Sequence, residues 1–276
     1  MKRIIVPIDF SNVAESAFTF ALEIASRHKA EMLLFHNFEV PVVESQFFPI
    51  NYMDVYSSLE MAEFDFFKDK VAELRKIAES KNLSHVAMSH ILTDGDLLYN
   101  LKDVIHREKI DFVVMGTSGA EDWFENLVGT NTGSLILNVD IPVLTIPEKT
   151  DFKEIKTIGF TTRFRDKDQM ALENVLAFAK TFNSKVKCLY VKTDKSDVSE
   201  QTIDNWRARF STNDVQFYIV YDDDVEGAVD DFLVSQEIDV LAMMTYKRSF
   251  FQKIFHASMT KKMAQNLTIP VLAFHE

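Results

Sequence analysis

Glycines followed by a threonine are spaced in one part of the chain as a phosphate-binding loop requires. Only seven glycines occur in 276 residues, yet three of them fall in one G-x2-G-x9-G-T pattern, called here the glycine frame. Glycine lets the backbone approach a ligand closely, and the N–H groups that open a helix attract phosphate oxygens. This segment therefore predicts a site for a phosphate-bearing ligand. Its candidate residues are Met115, Gly116, Gly119, Gly129, Thr130 and Asn131.

A carboxylate follows the first apolar strand of the chain. Residues 3–8 are mostly apolar and are followed directly by Asp9. In an open parallel sheet, ligands bind beyond the carboxyl ends of the strands, where the strand order reverses. We therefore expect Asp9 to face the ligand together with Pro7 and Ile8. The alternative is that Asp9 only caps a loop or the helix that follows.

The glycine frame, Asp9 and the closing strand Ile141–Ile146 together resemble the universal stress protein family, in its ATP-binding branch. The resemblance implies that the frame holds the phosphates and ribose of ATP, bound alone or with Mg²⁺. It also implies that Asp9 faces the nucleoside and that Asn37 and Phe38 offer backbone contacts to adenine. In that family the strand order is 3-2-1-4-5, so the first and fourth strands are neighbours.

Apolar strands alternate with amphipathic helices along the whole chain, which predicts an α/β protein. The expected fold is two tandem copies of an open, parallel five-stranded sheet with helices on both faces, a Rossmann-like arrangement. Ser11 is expected to cap the first helix. One long helix is expected to bury a stripe at helical spacing: Phe67, Val71, Leu74 and Ala78.

The chain repeats itself over lengths that are typical of whole domains. Ile238–Met243 matches Ile110–Met115, and Ile269–Phe274 matches Ile141–Ile146, at one common offset. We therefore predict a first domain at 1–148 and a second at 152–276. In the universal stress protein family, two domains commonly associate through their last strands. The resemblance thus implies that Ile141–Ile146 pairs with Ile269–Phe274, and it leaves further homodimerisation open.

The second copy has lost the glycine frame. The common offset places Met244, Lys247 and Ala257 at the three glycine positions, and Thr162 or a near neighbour at the position of Asp9. We therefore predict one nucleotide site, in the first copy. A different small molecule in the second copy stays open, in an apolar pocket formed by Met243, Met244, Phe250 and Phe251.

Composition limits the classes of partner. The net charge of −12 argues against a nucleic acid, and no run approaches the roughly 20 apolar residues of a membrane span. The single cysteine, Cys188, lies in a predicted strand and is expected to be a buried structural thiol. The acidic run that begins at Asp222 is expected to be a solvated turn and helix cap, with a divalent-ion site as the alternative. The chain is expected to be cytoplasmic.

Three function classes remain. The first is a stress-response sensor or regulator that binds an adenine nucleotide and changes its contacts with an unknown protein partner. The second is a scaffold without nucleotide, which the acids Glu121, Asp122 and Glu125 inside the frame favour. The third is a slow ATPase, but the frame has no P-loop lysine to stabilise the transferred phosphate. Residues 39–56 are expected to form either a lid or a loop that packs its aromatic side chains.

Overall fold

In the computed structural model of the chain, the residues described are 1–38, 52–117, 135–136, 138–148, 150–245 and 269–275, with the backbone alone for 52–55. Packing divides the chain into two compact units, Met1–Met115 and Gly116–Glu276. The predicted domain limits, 1–148 and 152–276, rest on sequence repetition and stay predictions. The proposed lid or aromatic loop at 39–56 lies almost wholly outside the described residues.

The first unit is a parallel sheet with helices. Its strands are β1 (Arg3–Pro7), β2 (Glu31–Phe38), β3 (Met88–Asp94) and β4 (Phe112–Thr117). Strand β4 continues for two residues beyond Met115, where the first unit ends. Its helices are α1 (Asn12–His28), α2 (Tyr52–Ser80) and α3 (Leu97–Arg107). The strand order is β3-β2-β1-β4, so the order reverses between β1 and β4.

Local sequence explains why these elements form. The Ser11 hydroxyl accepts a hydrogen bond from Ala14 N at 3.3 Å and so caps α1, as predicted. The predicted stripe of α2 is buried over its whole length. The centre of β1, which includes Ile5, has no exposed surface, because helices cover both faces of the sheet. Burial of each such side chain stabilises the fold by about 1.5–3 kcal/mol.

The second unit is also an open, mostly parallel sheet with helices. Its strands are β5 (Val143–Pro147), β6 (Thr157–Thr161), β7 (Lys185–Lys192), β8 (Val215–Tyr221), β9 (Val240–Thr245) and β10 (Val271–His275). Its helices are α4 (Asp166–Phe182), α5 (Glu200–Arg209) and α6 (Val225–Ser235). The strand order is β5-β10-β9-β6-β7-β8, and its last five strands have the predicted 3-2-1-4-5 arrangement. The predicted α/β class is confirmed.

Strand β5 pairs antiparallel with β10, with Leu144 opposite Leu272. These are the two strands that the resemblance implied would pair. The predicted cap at the acidic run is also present, because Asp224 Oδ1 accepts from Gly227 N at 3.0 Å at the start of α6. Within the described part of the chain, no helix is both long enough and apolar enough to cross a membrane.

Strand register is the same in the two units. In the first unit Ile5 of β1 lies opposite Val113 of β4, and in the second Gly159 of β6 lies opposite Leu241 of β9. The β1 and β6 residues are 154 positions apart, and the β4 and β9 residues 128 apart. The offsets of 154 and 128 positions that align the two copies in sequence therefore also superimpose the paired strands of the two units.

Candidate functional site

The first four candidate residues lie where β1 and β4 end. Because these strands are parallel neighbours, their carboxyl ends meet at one side of the sheet. Ile8 and Met115 are buried, Pro7 is half-buried, and Asp9 is exposed. Ile8 N donates to Phe35 O at 2.9 Å, which ties the end of β1 to β2. The first unit thus brings Pro7, Ile8, Asp9 and Met115 to one end of its sheet.

The glycine frame begins at this strand end and continues outside the described residues. Gly116 is the next residue of β4 and is half-buried. The other four candidate residues are not among those described: Gly119, Gly129, Thr130 and Asn131. Their part in a ligand site stays a prediction from the sequence.

Asp9 has a local role. Its Oδ1 accepts from Ser11 N at 3.0 Å and from the Ser11 hydroxyl at 2.6 Å. This is the loop-capping role that the sequence offered as the alternative. Asp9 Oδ2 makes no hydrogen bond to any of the described residues, so that oxygen can still accept from a ligand while Oδ1 holds the loop.

An aromatic cluster that the sequence did not reveal fixes the loop after β1. Phe10 has a left-handed backbone (φ 62°), which is uncommon for a residue other than glycine. Its ring centroid lies 4.9 Å from that of His36, 5.5 Å from that of Phe66 and 6.0 Å from that of Phe67. His36 Nδ1 donates to Ile8 O at 2.7 Å. This packing offsets the backbone strain and holds Asp9 in place.

A cavity of about 570 Å³ lies beside α2, next to the ends of β2 and β3. Phe38, which the resemblance offered for adenine, lines this cavity, whereas Pro7, Ile8 and Asp9 do not. Three carboxylates line it as well: Glu60, Asp65 and Asp94. Since these carboxylates repel phosphate, the cavity itself is a poor place for the charged part of a nucleotide.

Asn37 is occupied by internal hydrogen bonds. Its Nδ2 donates to Gly95 O at 2.8 Å, and its Oδ1 accepts from Thr93 at 2.9 Å and from Asn100 at 2.8 Å. Gly95 has φ +96°, a conformation that favours glycine. The Asn37 side chain therefore joins the end of β2 to the start of α3.

The corresponding strand end in the second unit carries the opposite charge. Arg163 stands 154 positions after Asp9, and Phe164, which follows it, has φ 55°, as Phe10 has φ 62°. Phe164 also packs in an aromatic cluster, with its ring centroid 5.0 Å from that of Trp206. The sequence matched Asp9 with Thr162 or a near neighbour. In the structure, that neighbour is Arg163.

A buried carboxylate organises this loop. Asp168 has no exposed surface, and its Oδ2 accepts from Arg163 N at 2.7 Å, from Arg165 N at 3.1 Å and from the Thr162 hydroxyl at 2.9 Å. Burial raises the pKa of Asp168, and these hydrogen bonds act in the opposite direction. Burial, and then the negative Asp168, raise the pKa of Cys188 well above its usual value. Cys188 is fully buried, as predicted.

A cavity of about 230 Å³ lies at the carboxyl ends of β6, β7 and β9; we call it the strand-end cavity. Met243 and Met244 line it, as the apolar-pocket alternative proposed, while Phe250 and Phe251 lie outside the described residues. Three cations at its mouth were missed in the sequence: Arg163, Arg165 and Lys195. Their positions just after β6 and β7 were the available signal, because parallel strands end at one side of a sheet.

Comparison with known proteins identifies the family. The family model described as universal stress protein family matches residues 1–147. The chain belongs to the universal stress protein family. No match was found among curated proteins.

Solved universal stress proteins share the fold. One from Archaeoglobus fulgidus DSM 4304 has a TM-score of 0.70 and 12% identity, with 99% of this chain and 96% of that chain covered. One from Pseudomonas aeruginosa UCBPP-PA14 has a TM-score of 0.65 and 11% identity, with 100% and 93% covered. Another, solved in complex with cAMP, has a TM-score of 0.36 and 15% identity, with 45% and 98% covered. Identities as low as those of the first two structures show the fold alone, and the third match carries no conclusion.

Proposed function

We propose that this universal stress protein binds an adenine nucleotide, with ATP as the first candidate, at the carboxyl ends of β1 and β4. Occupancy would change its contacts with a protein partner. The observation that carries the proposal is the pairing of β1 with β4, because Asp9 follows one strand and the glycine frame begins in the other. In this proposal Gly116 and Gly119 approach phosphate and ribose, and the N–H groups that follow Gly129 receive phosphate oxygens.

The side chains available as metal ligands favour a nucleotide that binds together with Mg²⁺ already held by its phosphates. Among the described residues there is no cluster of three or more His, Cys, Asp or Glu side chains that could hold a metal ion. Mg²⁺ commonly binds through substrate phosphates with few protein ligands, so it would enter with ATP. Since the glycine frame lacks a P-loop lysine, we propose a binding protein rather than an efficient ATPase.

One observation favours the scaffold without nucleotide. Asp9 Oδ1 already caps the loop through Ser11, so the residue has a structural role with no ligand present. The acids Glu121, Asp122 and Glu125 add negative charge within the glycine frame. The nucleotide proposal therefore has to be tested with variants that separate loop structure from ligand contact.

Isothermal titration of the full, nucleotide-free chain with Mg-ATP, and with AMP for comparison, tests the proposal. We expect one site per chain, and loss of binding in Gly129→Val, because a side chain there would fill the space that phosphate needs. Ala257→Val is the matched control, since it makes the same kind of change at the corresponding position of the second copy. It should bind as the native chain does.

Asp9→Asn separates the two roles of Asp9. The amide oxygen can still accept from Ser11, so circular dichroism and thermal unfolding should stay unchanged, while ATP affinity falls by about tenfold, or about 1.4 kcal/mol. Two sites per chain would show that the second copy also binds nucleotide. An absence of heat with millimolar nucleotide would favour the scaffold.

A further inference from the structure

The cavity beside α2 has walls of aromatic side chains. The rings that line it are Phe38 from β2, Phe64 and Phe67 from α2, and His90 from β3. Phe67 and His90 pack edge to face, with ring centroids 5.6 Å apart. Aromatic faces attract positive charge, and their apolar surface accepts the methylene groups of an aliphatic chain. These walls therefore suit an organic cation.

Carboxylates surround these rings. Glu60 and Asp65 belong to α2, and Asp94 ends β3. In the part of the chain that the structure describes, neither Glu60 nor Asp65 forms a hydrogen bond or an ion pair. Asp94 Oδ2 accepts from the Tyr56 hydroxyl at 2.9 Å, and this neutral donor does not cancel its charge. All three carboxylates can therefore attract a cationic ligand.

Positive charge around the cavity does not balance these carboxylates. Among the described residues that line it, only His90 can carry a positive charge. Residues 52–67, which form the first half of α2, contain four acids and no lysine or arginine. Further along the helix, Lys68 does not line the cavity, and Lys70 is held in an ion pair at 2.7 Å. Residues 39–51, which join β2 to α2, contain two acids and no Lys, Arg or His. The surroundings are therefore negative, which selects a cation.

The arrangement of the carboxylates limits the class of cation. Glu60 and Asp65 are five residues apart, which separates them by about 7.5 Å along the helix axis. The described residues hold no group of three or more His, Cys, Asp or Glu that could bind a metal ion. The volume of about 570 Å³ falls within the range of about 300–1,000 Å³ that is typical of ligand pockets. Separate carboxylates with aromatic surface between them match separate positive charges on an apolar chain.

We propose that the cavity beside α2 binds a linear aliphatic polyamine. Its ammonium groups lie near Glu60, Asp65 and Asp94, and its methylene groups rest on the rings of Phe64 and Phe67. The site uses none of the residues at the ends of β1 and β4, so its test does not depend on the outcome of the nucleotide titration. It gives the first unit a second ligand class, of opposite charge to a nucleotide.

Methyl NMR of the full, nucleotide-free chain labelled with ¹³C at the methionine methyls provides the test, with spermidine as the probe. Met61 lines the cavity and is 70% exposed, whereas Met170 of α4 is 68% exposed and does not line it. The variants Met61→Leu and Met170→Leu assign the two signals. Salt at about 150 mM screens unspecific attraction to the acidic chain. Under these conditions Met61 should shift with a Kd of about 0.1–1 mM, and Met170 should not shift.

Two further compounds separate the charge of the ligand from its apolar chain. The neutral 1,8-octanediol has a chain of similar length and should bind about tenfold more weakly, because it forms no ion pairs. Mg²⁺ has charge without an apolar chain, and at the same concentration it should not shift Met61.

Charge-neutral variants locate the site. Glu60→Gln and Asp65→Asn change exposed side chains and should each weaken spermidine about two- to fivefold. Glu79→Gln is the matched control, because it changes another exposed acid of α2, about 28 Å further along the helix axis. It should leave the affinity unchanged.

Four results would overturn the proposal. The first is that millimolar spermidine leaves Met61 unmoved, and the second is that Met61 and Met170 shift alike. The third is that 1,8-octanediol binds as tightly as spermidine. The fourth is that Glu79→Gln weakens binding as much as Glu60→Gln does.

Discussion

Asp168 is the side chain on which the loop after β6 depends most. Replacing it with alanine leaves three donors without their acceptor: Arg163 N, Arg165 N and the Thr162 hydroxyl. These donors flank Phe164, whose left-handed backbone costs free energy that only the surrounding structure can offset. We therefore expect Asp168→Ala to destabilise the second unit and to loosen the aromatic cluster around Phe164.

The magnitude follows from the number of bonds and from their burial. A buried donor left without a partner costs about 1–3 kcal/mol. The low end applies here, because the N–H groups of Arg163 and Arg165 are only part-buried and water can reach them. Three donors then cost about 3 kcal/mol. Removing the carboxylate also removes the burial of charge that raises the pKa of Asp168, and this relief offsets part of the cost. The expected net loss is about 2 kcal/mol in the free energy of unfolding.

Tryptophan fluorescence can read this loss locally. The chain has two tryptophans, Trp123 and Trp206, and the buried Trp206 lies 5.0 Å from Phe164 between ring centroids. In a Trp123→Phe background, urea unfolding followed at Trp206 reports the second unit. A local signal is needed because a chain with two compact units need not unfold in one step.

A matched control lies two residues away. Asp166→Ala removes an exposed carboxylate from the first turn of the same helix and should cost about 0.5 kcal/mol or less through the helix dipole. If Asp168→Ala and Asp166→Ala have equal effects, or if the Trp206 emission of the folded Asp168→Ala protein is unchanged, the proposed role of Asp168 in holding the Phe164 loop is wrong.

Two further predictions concern titration and thiol access. Burial, and then the neighbouring carboxylates led by Asp231, raise the pKa of Asp230 to about 6. The folded state therefore binds a proton more tightly than the unfolded state does. As a consequence, the free energy of unfolding falls as pH rises from about 4 to 6. In urea titrations, Asp230→Asn should flatten this fall in the free energy of unfolding. It should also raise the free energy of unfolding at neutral pH by about 1 kcal/mol, a figure reduced to allow for the partial exposure of Asp230. The control Asp69→Asn, on the exposed side of α2, should have neither effect. Cys188 is fully buried and its pKa is raised, so a disulfide thiol reagent should react with it only as fast as the chain unfolds. Fast labelling of the folded chain, followed by absorbance, would contradict this.

Most of the fold could be predicted because the periodic signals are strong. The stripe that begins at Phe67 repeats at helical spacing, and the closing strands begin with the same Ile-Pro-Val-Leu residues at Ile141 and Ile269. Strand order in the second unit followed from the family resemblance. The loops after β1 and β6 could not be predicted, since Phe10 and Phe164 adopt left-handed backbone without glycine. Tertiary packing of their rings decides that conformation, and sequence patterns carry little information about it.

The candidate site was predictable only where a motif or a strand end marked it. Asp9 was found because it follows an apolar strand, and the glycine frame because its spacing is specific. Arg163 and Lys195 belong to no motif, so only the meeting of β6 and β7 at one side of the sheet brings them together. Asp168 was missed for another reason. A helix-borne aspartate is usually exposed, and only the fold shows that this one is buried under the loop it holds.

The two strand ends share one backbone arrangement and differ in their side chains. The register of β1 with β4 equals that of β6 with β9, and a left-handed phenylalanine follows Asp9 in one case and Arg163 in the other. Backbone geometry therefore does not distinguish the two strand ends. The difference lies in side chains, because Asp9 and the neighbouring Gly116 give one strand end a carboxylate and a residue without a side chain. A guanidinium with a methionine at the first glycine position narrows the space and reverses the charge. The two strand ends thus differ in a few side chains, while the register of the strands that carry them is the same.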